Sequence, residues 1–209
     1  MRGTVIGADG VARCSWCAGD PLYESYHDTE WGWPVKDDTR LFEKLSLEGF
    51  QSGLSWLTIL RTRENFRRAF KSFDIDAVAR FNTRSVQRLM SDAGIVRNRA
   101  KIEATISNAR RCSELIGEFG SLAAYIWRFE PGPETRPRTL TSEALMQNTT
   151  SAESLAMSKD MRRRGWAFVG PTTAYAFMEA MGLVNDHLTG CDARDAVERD
   201  RTRFRRPTA

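Results

Sequence analysis

Long apolar runs are absent from this chain. No stretch approaches the roughly 20 apolar residues of a membrane span, and the short run Thr4-Val5-Ile6-Gly7-Ala8 is too brief for a signal-peptide core. Alternating apolar and polar residues, the mark of a half-buried strand, are missing, as is any internal repeat. Charge of one sign is also scarce: 31 basic residues against 27 acidic ones leave a formal net charge of +4, too small by itself to prove a nucleic-acid partner. With four cysteines in 209 residues and no secretory pattern, a disulfide scaffold is excluded and the expected location is the cytoplasm. Histidine is scarcest of the metal-binding types, with two in the whole chain.

What is present reads almost entirely as helix. Asp37-Asp38-Thr39 offers caps ahead of Leu41, Phe42, Leu45 and Leu47 at helical spacing. A second apolar pattern holds Leu54, Leu57, Ile59, Leu60, Phe66 and Phe70. Asp74 or Asp76 can cap a short helix through Phe81, and Thr83 begins another with Val86 and Leu89 on one face. A long helix is expected from Arg99 to Leu115, with Ile102, Ile106 and Ala109 as its buried stripe. Ser121 and Ser151 suit caps, and Pro171 suits the first turn of a further helix. Between Pro131 and Pro137 the composition marks a surface loop. The expected organisation is an N-terminal extension over 1–12, one helical domain over 13–191, and a charged, mobile tail over 192–209.

Each of the two histidines has a cysteine close by in sequence. Cys14 and His27 lie near the N-terminal end, His187 and Cys191 near the C-terminal end. Two sulfurs and two imidazoles are the donor set of a closed tetrahedral zinc site. His187 and Cys191 have i,i+4 spacing, which shares one side of a helix if that segment is helical. A competing set uses Cys17 in place of Cys14 or His27, because Cys14-x-x-Cys17 is itself a plausible half-site. Four protein ligands leave no open position for water, so the ion would hold structure and perform no chemistry.

The segment from Leu89 to Ile102 reads as helix, tight turn at Gly94, then helix with Arg97, Arg99 and Lys101 at its start. A glycine permits close backbone approach, and a helix N-terminus offers unpaired N–H groups to an anion. The pattern fits a helix-hairpin-helix clamp on a phosphate backbone; an ordinary helical hairpin with a solvated basic edge fits it equally.

Several separate blocks in fixed order carry a likeness to a known family. They are Asp20-Pro21-Leu22-Tyr23, Tyr26-His27-Asp28, Glu30-Trp31-Gly32, Leu47-Glu48-Gly49, Gln51-Ser52-Gly53-Leu54-Ser55-Trp56, Asp92-Ala93-Gly94-Ile95, Phe168-Val169-Gly170 and Gly182-Leu183-Val184-Asn185-Asp186-His187. From Cys14 to Cys191 the chain resembles the bacterial type I 3-methyladenine DNA glycosylases. The resemblance implies an all-α helix-hairpin-helix glycosylase fold and one structural zinc ion held by Cys14, His27, His187 and Cys191, which joins the N- and C-terminal segments. It also implies a pocket for an alkylated base made of Trp16, Tyr26, Glu48 and Trp56. The implied partner is double-stranded DNA containing alkylated adenine, gripped around Gly94, Arg97, Arg99 and Lys101 by a monomer.

These implied roles make chemical sense together. A glycosylase must take its target nucleotide out of the stack and read it in a pocket. N3-alkylation gives the adenine a positive charge, which indole and phenol faces attract and a buried carboxylate favours. That charge also makes the base a good leaving group, so strong acid catalysis is unnecessary. The superfamily's downstream Asp is missing: residues 103–119 hold Glu103, Glu114 and Glu118 but no Asp, as the narrower family implies. Glu48 is the expected key acid. Trp33 and Ser52 stand where the resemblance leads one to expect an aliphatic residue and Ala. A non-catalytic sensor of alkylated DNA, or a glycosylase with another substrate range, would keep the same features.

Overall fold

The computed structural model describes residues 3–137 and 139–208. Positions 1 and 2 of the expected extension and 209 of the expected tail lie outside the described residues. Among those described, the protein is mostly helical, with two three-residue strands, β1 (Thr4–Ile6) and β2 (Ala12–Cys14), paired antiparallel with Thr4 opposite Cys14.

The helices follow in chain order: α1 (Pro21–Thr29), α2 (Asp38–Gln51), α3 (Trp56–Ala69), α4 (Ile75–Ala79), α5 (Thr83–Ser91), α6 (Arg99–Phe119), α7 (Leu122–Ile126), α8 (Ser142–Gln147), α9 (Ala152–Arg163), α10 (Pro171–Ala180) and α11 (Asp192–Arg203). Their starts are chemically marked. The Asp20 carboxylate accepts from the backbone N–H of Leu22 and Tyr23, and Pro21 occupies the first turn of α1. Asp37, Asp74, Ser121 and Ser151 cap α2, α4, α7 and α9 in the same way. Asn82, one residue before the expected Thr83, caps α5. The long helix α6 runs past Leu115 to Phe119, where Gly120 ends it at φ 80°.

The core lies between α2, α3, α6, α7 and α10. Phe42, Phe50, Phe66, Phe70 and Phe73 are fully buried, and the Phe70 and Phe73 rings stack 5.5 Å apart. Asp38 does double service. As the first residue of α2, it also accepts from the N–H groups of Leu122 and Ala123 at the start of α7.

Two expectations need correcting. From residue 3 onward the N-terminal extension forms the β1–β2 hairpin, where no strand was expected. Its strands are too short to show alternation. Arg13 pins it, binding Asp9 and Asp28 together. The tail is not an unstructured stretch among the described residues: most of it is α11, which buries Val197 and lays Arg201 against the carbonyl of Gly182 and the carboxylate of Glu130. The His187–Cys191 segment is not helical. It is a loop with a turn from Cys191 N–H to the Leu188 carbonyl, and Cys191 is the residue immediately before α11.

Candidate active site and metal centre

Cys14, at the end of β2, meets His27 from α1 and His187 and Cys191 from the C-terminal loop. Their ligand atoms all lie within 4.8 Å of one another, and all four residues are buried. This cluster could hold a metal ion. Cys17 is excluded from it, because its thiol donates to the Cys14 carbonyl at 3.1 Å. The outer nitrogens of both imidazoles are already engaged: His27 Nδ1 with Asp28 Oδ1 at 2.7 Å, and His187 Nε2 with the Trp31 carbonyl at 3.0 Å. If each outer nitrogen carries the proton, as those partners favour, the inner nitrogens present lone pairs. His27 Nε2 and His187 Nδ1 then face each other at 3.1 Å, with Cys191 Sγ 3.5 Å from each. Such an arrangement asks for a cation between the rings.

Two glycines permit the approach. Gly32 has φ 86°, and a Cβ there would stand 3.0 Å from His187 Nε2. Gly182, at φ 76°, passes so close to Trp33 and Pro34 that a Cβ would lie 2.5 Å from their backbone.

Helix α1 places two sites back to back. His27 faces the cluster, while Tyr26 faces a cleft of about 210 Å³. The cleft is smaller than the roughly 300–1,000 Å³ of drug-sized sites, which suits a single base. Trp16, Tyr26, Glu48 and Trp56, expected from the sequence, come together in its wall. Trp16 packs edge-on to His27, Tyr23 and Trp31, with ring centroids 5.3, 4.8 and 5.0 Å apart. Trp31 in turn meets the His187 ring at 4.7 Å, so the Cys/His cluster buttresses the cleft wall. The Trp56 indole N–H is buried without a hydrogen-bond partner among the described residues.

Several lining residues had no expected role: Tyr23, Lys44, Gln51 and Glu179. Trp31 also lines the cleft. Lys44 is the most consequential. One helical turn before Glu48, its ammonium lies 2.7 Å from the Glu48 carboxylate, 2.9 Å from the Tyr26 hydroxyl and 3.0 Å from the centroid of the Trp56 ring. Both members of the ion pair are 6% exposed. Burial pushes the Lys44 ammonium below the usual lysine range, and Glu48 opposes that shift. On the α10 side, burial raises the Glu179 carboxyl well above the usual carboxylate range, helped by Asp186 and then Glu48. The i,i+4 spacing of Lys44 and Glu48 is in the sequence, but it is also the signature of a solvated helix pair. Trp33 and Ser52 do not line the cleft; the Trp33 indole donates to the Asp28 carbonyl at 3.1 Å.

At the α5–α6 turn, Gly94 N–H donates to Asp92 Oδ1, and its carbonyl accepts from Asn65 on α3. A Cβ on Gly94 would meet the Asn65 amide at 3.1 Å, so the close approach made here is to α3. Arg97 and Arg99 are exposed, and Arg99 pairs with Glu103 at 3.2 Å. Lys101 departs from expectation. It is buried, and its ammonium donates to the carbonyls of Phe50 and Ser52 at 2.9 and 2.6 Å. The C-terminal carbonyls of α2 draw the charge inward, away from any phosphate.

A family profile described as methyladenine glycosylase matches residues 16–195. The DNA-3-methyladenine glycosylase 1 of Escherichia coli K12 is 46% identical over 182 residues, covering 87% of this chain and 96% of that protein. The DNA-3-methyladenine glycosylase of Haemophilus influenzae is 41% identical over 187 residues, covering 88% and 98%. Among solved structures, a point variant of a 3-methyladenine DNA glycosylase I in complex with 3-methyladenine superposes with a TM-score of 0.80 at 33% identity, covering 87% of this chain and 97% of that one.

Proposed function

The chain belongs to the methyladenine glycosylase family, and we propose that its cleft accepts N3-alkylated adenine flipped out of duplex DNA. It is a DNA-3-methyladenine glycosylase: it hydrolyses the bond between deoxyribose and the alkylated base, releasing free base and leaving an abasic site for excision repair. The observation that carries the pocket assignment is the convergence of Trp16, Tyr26, Trp56 and the buried Glu48 on one base-sized cleft.

The roles follow from chemistry. Aromatic faces hold the flat base by stacking. Glu48 accepts from the exocyclic amine, and the unpartnered Trp56 N–H donates to a ring nitrogen or a water. Because the alkylated base leaves as a neutral molecule, no residue need protonate it. Water then adds to the oxocarbenium-like sugar.

The turn between α5 and α6 serves as a helix-hairpin-helix clamp. Support comes from the exposed Arg97 and Arg99 beside Gly94, at the N-terminus of α6, where the Asn98 side chain caps the Lys101 N–H. Lys101 has no part in it. The buried Cys₂His₂ cluster is a structural zinc centre. A tetrahedral ion with bonds of about 2.05 Å to nitrogen and about 2.3 Å to sulfur sets nitrogens about 3.3 Å apart and nitrogen about 3.6 Å from sulfur. The separations here are 3.1 and 3.5 Å. The ion would supply a cross-link between the chain's two ends and take no part in bond cleavage.

Duplex DNA treated with a methylating agent, incubated with the protein and resolved by chromatography, tests the assignment. Released 3-methyladenine is expected. No released base would leave a damage sensor, and a different released base would redefine the substrate.

A further inference from the structure

A cation already sits on the Trp56 face. The Lys44 ammonium is 3.0 Å from the ring centroid and is held by the Glu48 carboxylate and the Tyr26 hydroxyl. Five titratable groups surround it: Glu48 on its own helix, Tyr26 from α1, Glu30 just after α1, Arg63 from α3 and Glu179 from α10. Glu30 and Arg63 neutralise each other through a two-bonded pair. Glu179 reaches the cleft from α10, its carboxyl raised by burial and then by Asp186. At the floor of the cleft Glu48 is thus paired with a cation, where a lone carboxylate would have made it negative.

We infer that Lys44 is a substrate-contacting residue that sets the charge preference of the base pocket: by neutralising Glu48 it withholds tight binding from the cationic base and favours the base in the neutral form it takes as it leaves. The inference rests on the pocket assignment above and extends it.

The charge flow of the reaction gives this arrangement its consequence. Before cleavage the positive charge is on the alkylated ring. As the C1′–N9 bond breaks, its electron pair moves onto the base, which becomes neutral, and the positive charge passes to the sugar. Water then bonds to C1′ and gives its proton to solvent. A pocket dominated by an unpaired carboxylate would stabilise the starting cation most, and that stabilisation would fade along the reaction. Only interactions that improve toward the transition state raise kcat. An ammonium within a few ångströms of the ring disfavours the cation and leaves the neutral base untouched, so its effect improves as the bond breaks.

Two neutral variants test this. Lys44→Met removes charge and donors; Lys44→Gln removes charge and keeps a donor. Binding is measured for 3-methyladenine at mildly alkaline pH, where it is neutral, and for 3,9-dimethyladeninium, a fixed cation. Wild type is expected to bind the two within about tenfold of each other. Both variants should shift the ratio toward the cation by at least about tenfold. On DNA carrying the lesion, the variants should lose at least about tenfold in kcat while KM stays level or falls, a split that a general loss of packing would not give. A ratio that does not move in either variant, or a wild type that already prefers the cation a hundredfold, overturns the role of Lys44 alone. Binding of neither probe removes the pocket assignment as well.

Discussion

His27 Nε2 and His187 Nδ1 face each other at 3.1 Å although 160 residues separate them in the chain. Each ring is oriented from behind, His27 by Asp28 and His187 by the Trp31 carbonyl. That outer shell is anchored in turn, since Arg13 binds Asp28 and Gly32 allows the loop to pass against the His187 ring. Because Trp16 and Trp31 rest on the same imidazoles and line the cleft, damage to the Cys/His cluster should reach the cleft.

Cys191→Ser is accordingly expected to lower bound zinc from one per chain to a small fraction, measured by elemental analysis of the purified protein. Loss of about 3–5 kcal/mol, the range for losing a buried anchor of this kind, should lower the thermal midpoint by about 10 °C. Cys17→Ser should leave the zinc content unchanged. Equal metal content in the Cys191 variant and wild type would contradict the ligand set.

Lys101 and Arg97 should separate cleanly. Lys101→Met removes two hydrogen bonds to the carbonyls ending α2 and should cost about 1–3 kcal/mol of stability, with the salt dependence of DNA binding unchanged. Arg97→Ala should cost little stability but reduce the slope of log affinity against log salt by about 1. Fluorescence anisotropy across a salt series, beside thermal melts, checks both.

Glu179 supplies a pH signature. Its folded-state carboxyl titrates well above the unfolded value of 4.5. Between those two values the native protein holds a proton that the unfolded chain has released, so this group's stabilising contribution is complete below about pH 4.5 and is lost as pH rises toward the folded value. Glu179→Gln, which keeps a donor for Asp186, should match wild type near pH 4 and exceed it in thermal midpoint near pH 8. Parallel melting curves for the two proteins at every pH would show that Glu179 is not held protonated.

How far the sequence discloses this molecule varies by element. Helix starts were legible where a short polar side chain precedes an apolar stripe, as at Asp37, Ser121 and Ser151, because capping is a local interaction. The pairing of each histidine with a nearby cysteine pointed to the Cys/His cluster that the fold assembles, though spacing alone left Cys17 in contention. The order of α11 was hidden because its composition is almost wholly charged; Val197 and Arg201 dock on groups distant in sequence. Lys44 and Lys101 were hidden for a related reason. A lysine on a helix reads as solvated, and only packing by other elements reveals that its head group is enclosed. The base pocket was named through likeness to a family, since nothing local in Leu47-Glu48-Gly49 distinguishes a buried acid from an exposed one.

The most direct test of the account is single-turnover release of 3-methyladenine from a duplex with one lesion, by wild type and by Glu48→Gln. That substitution keeps the shape of the side chain and removes the charge that holds Lys44. Wild type should release the base, and the variant should be slower by about tenfold to a hundredfold, the equivalent of one charge-assisted hydrogen bond, with its helical content and zinc retained. A Glu48→Gln protein that releases base at the wild-type rate would contradict the claim that this cleft is where the damaged base is held and lost.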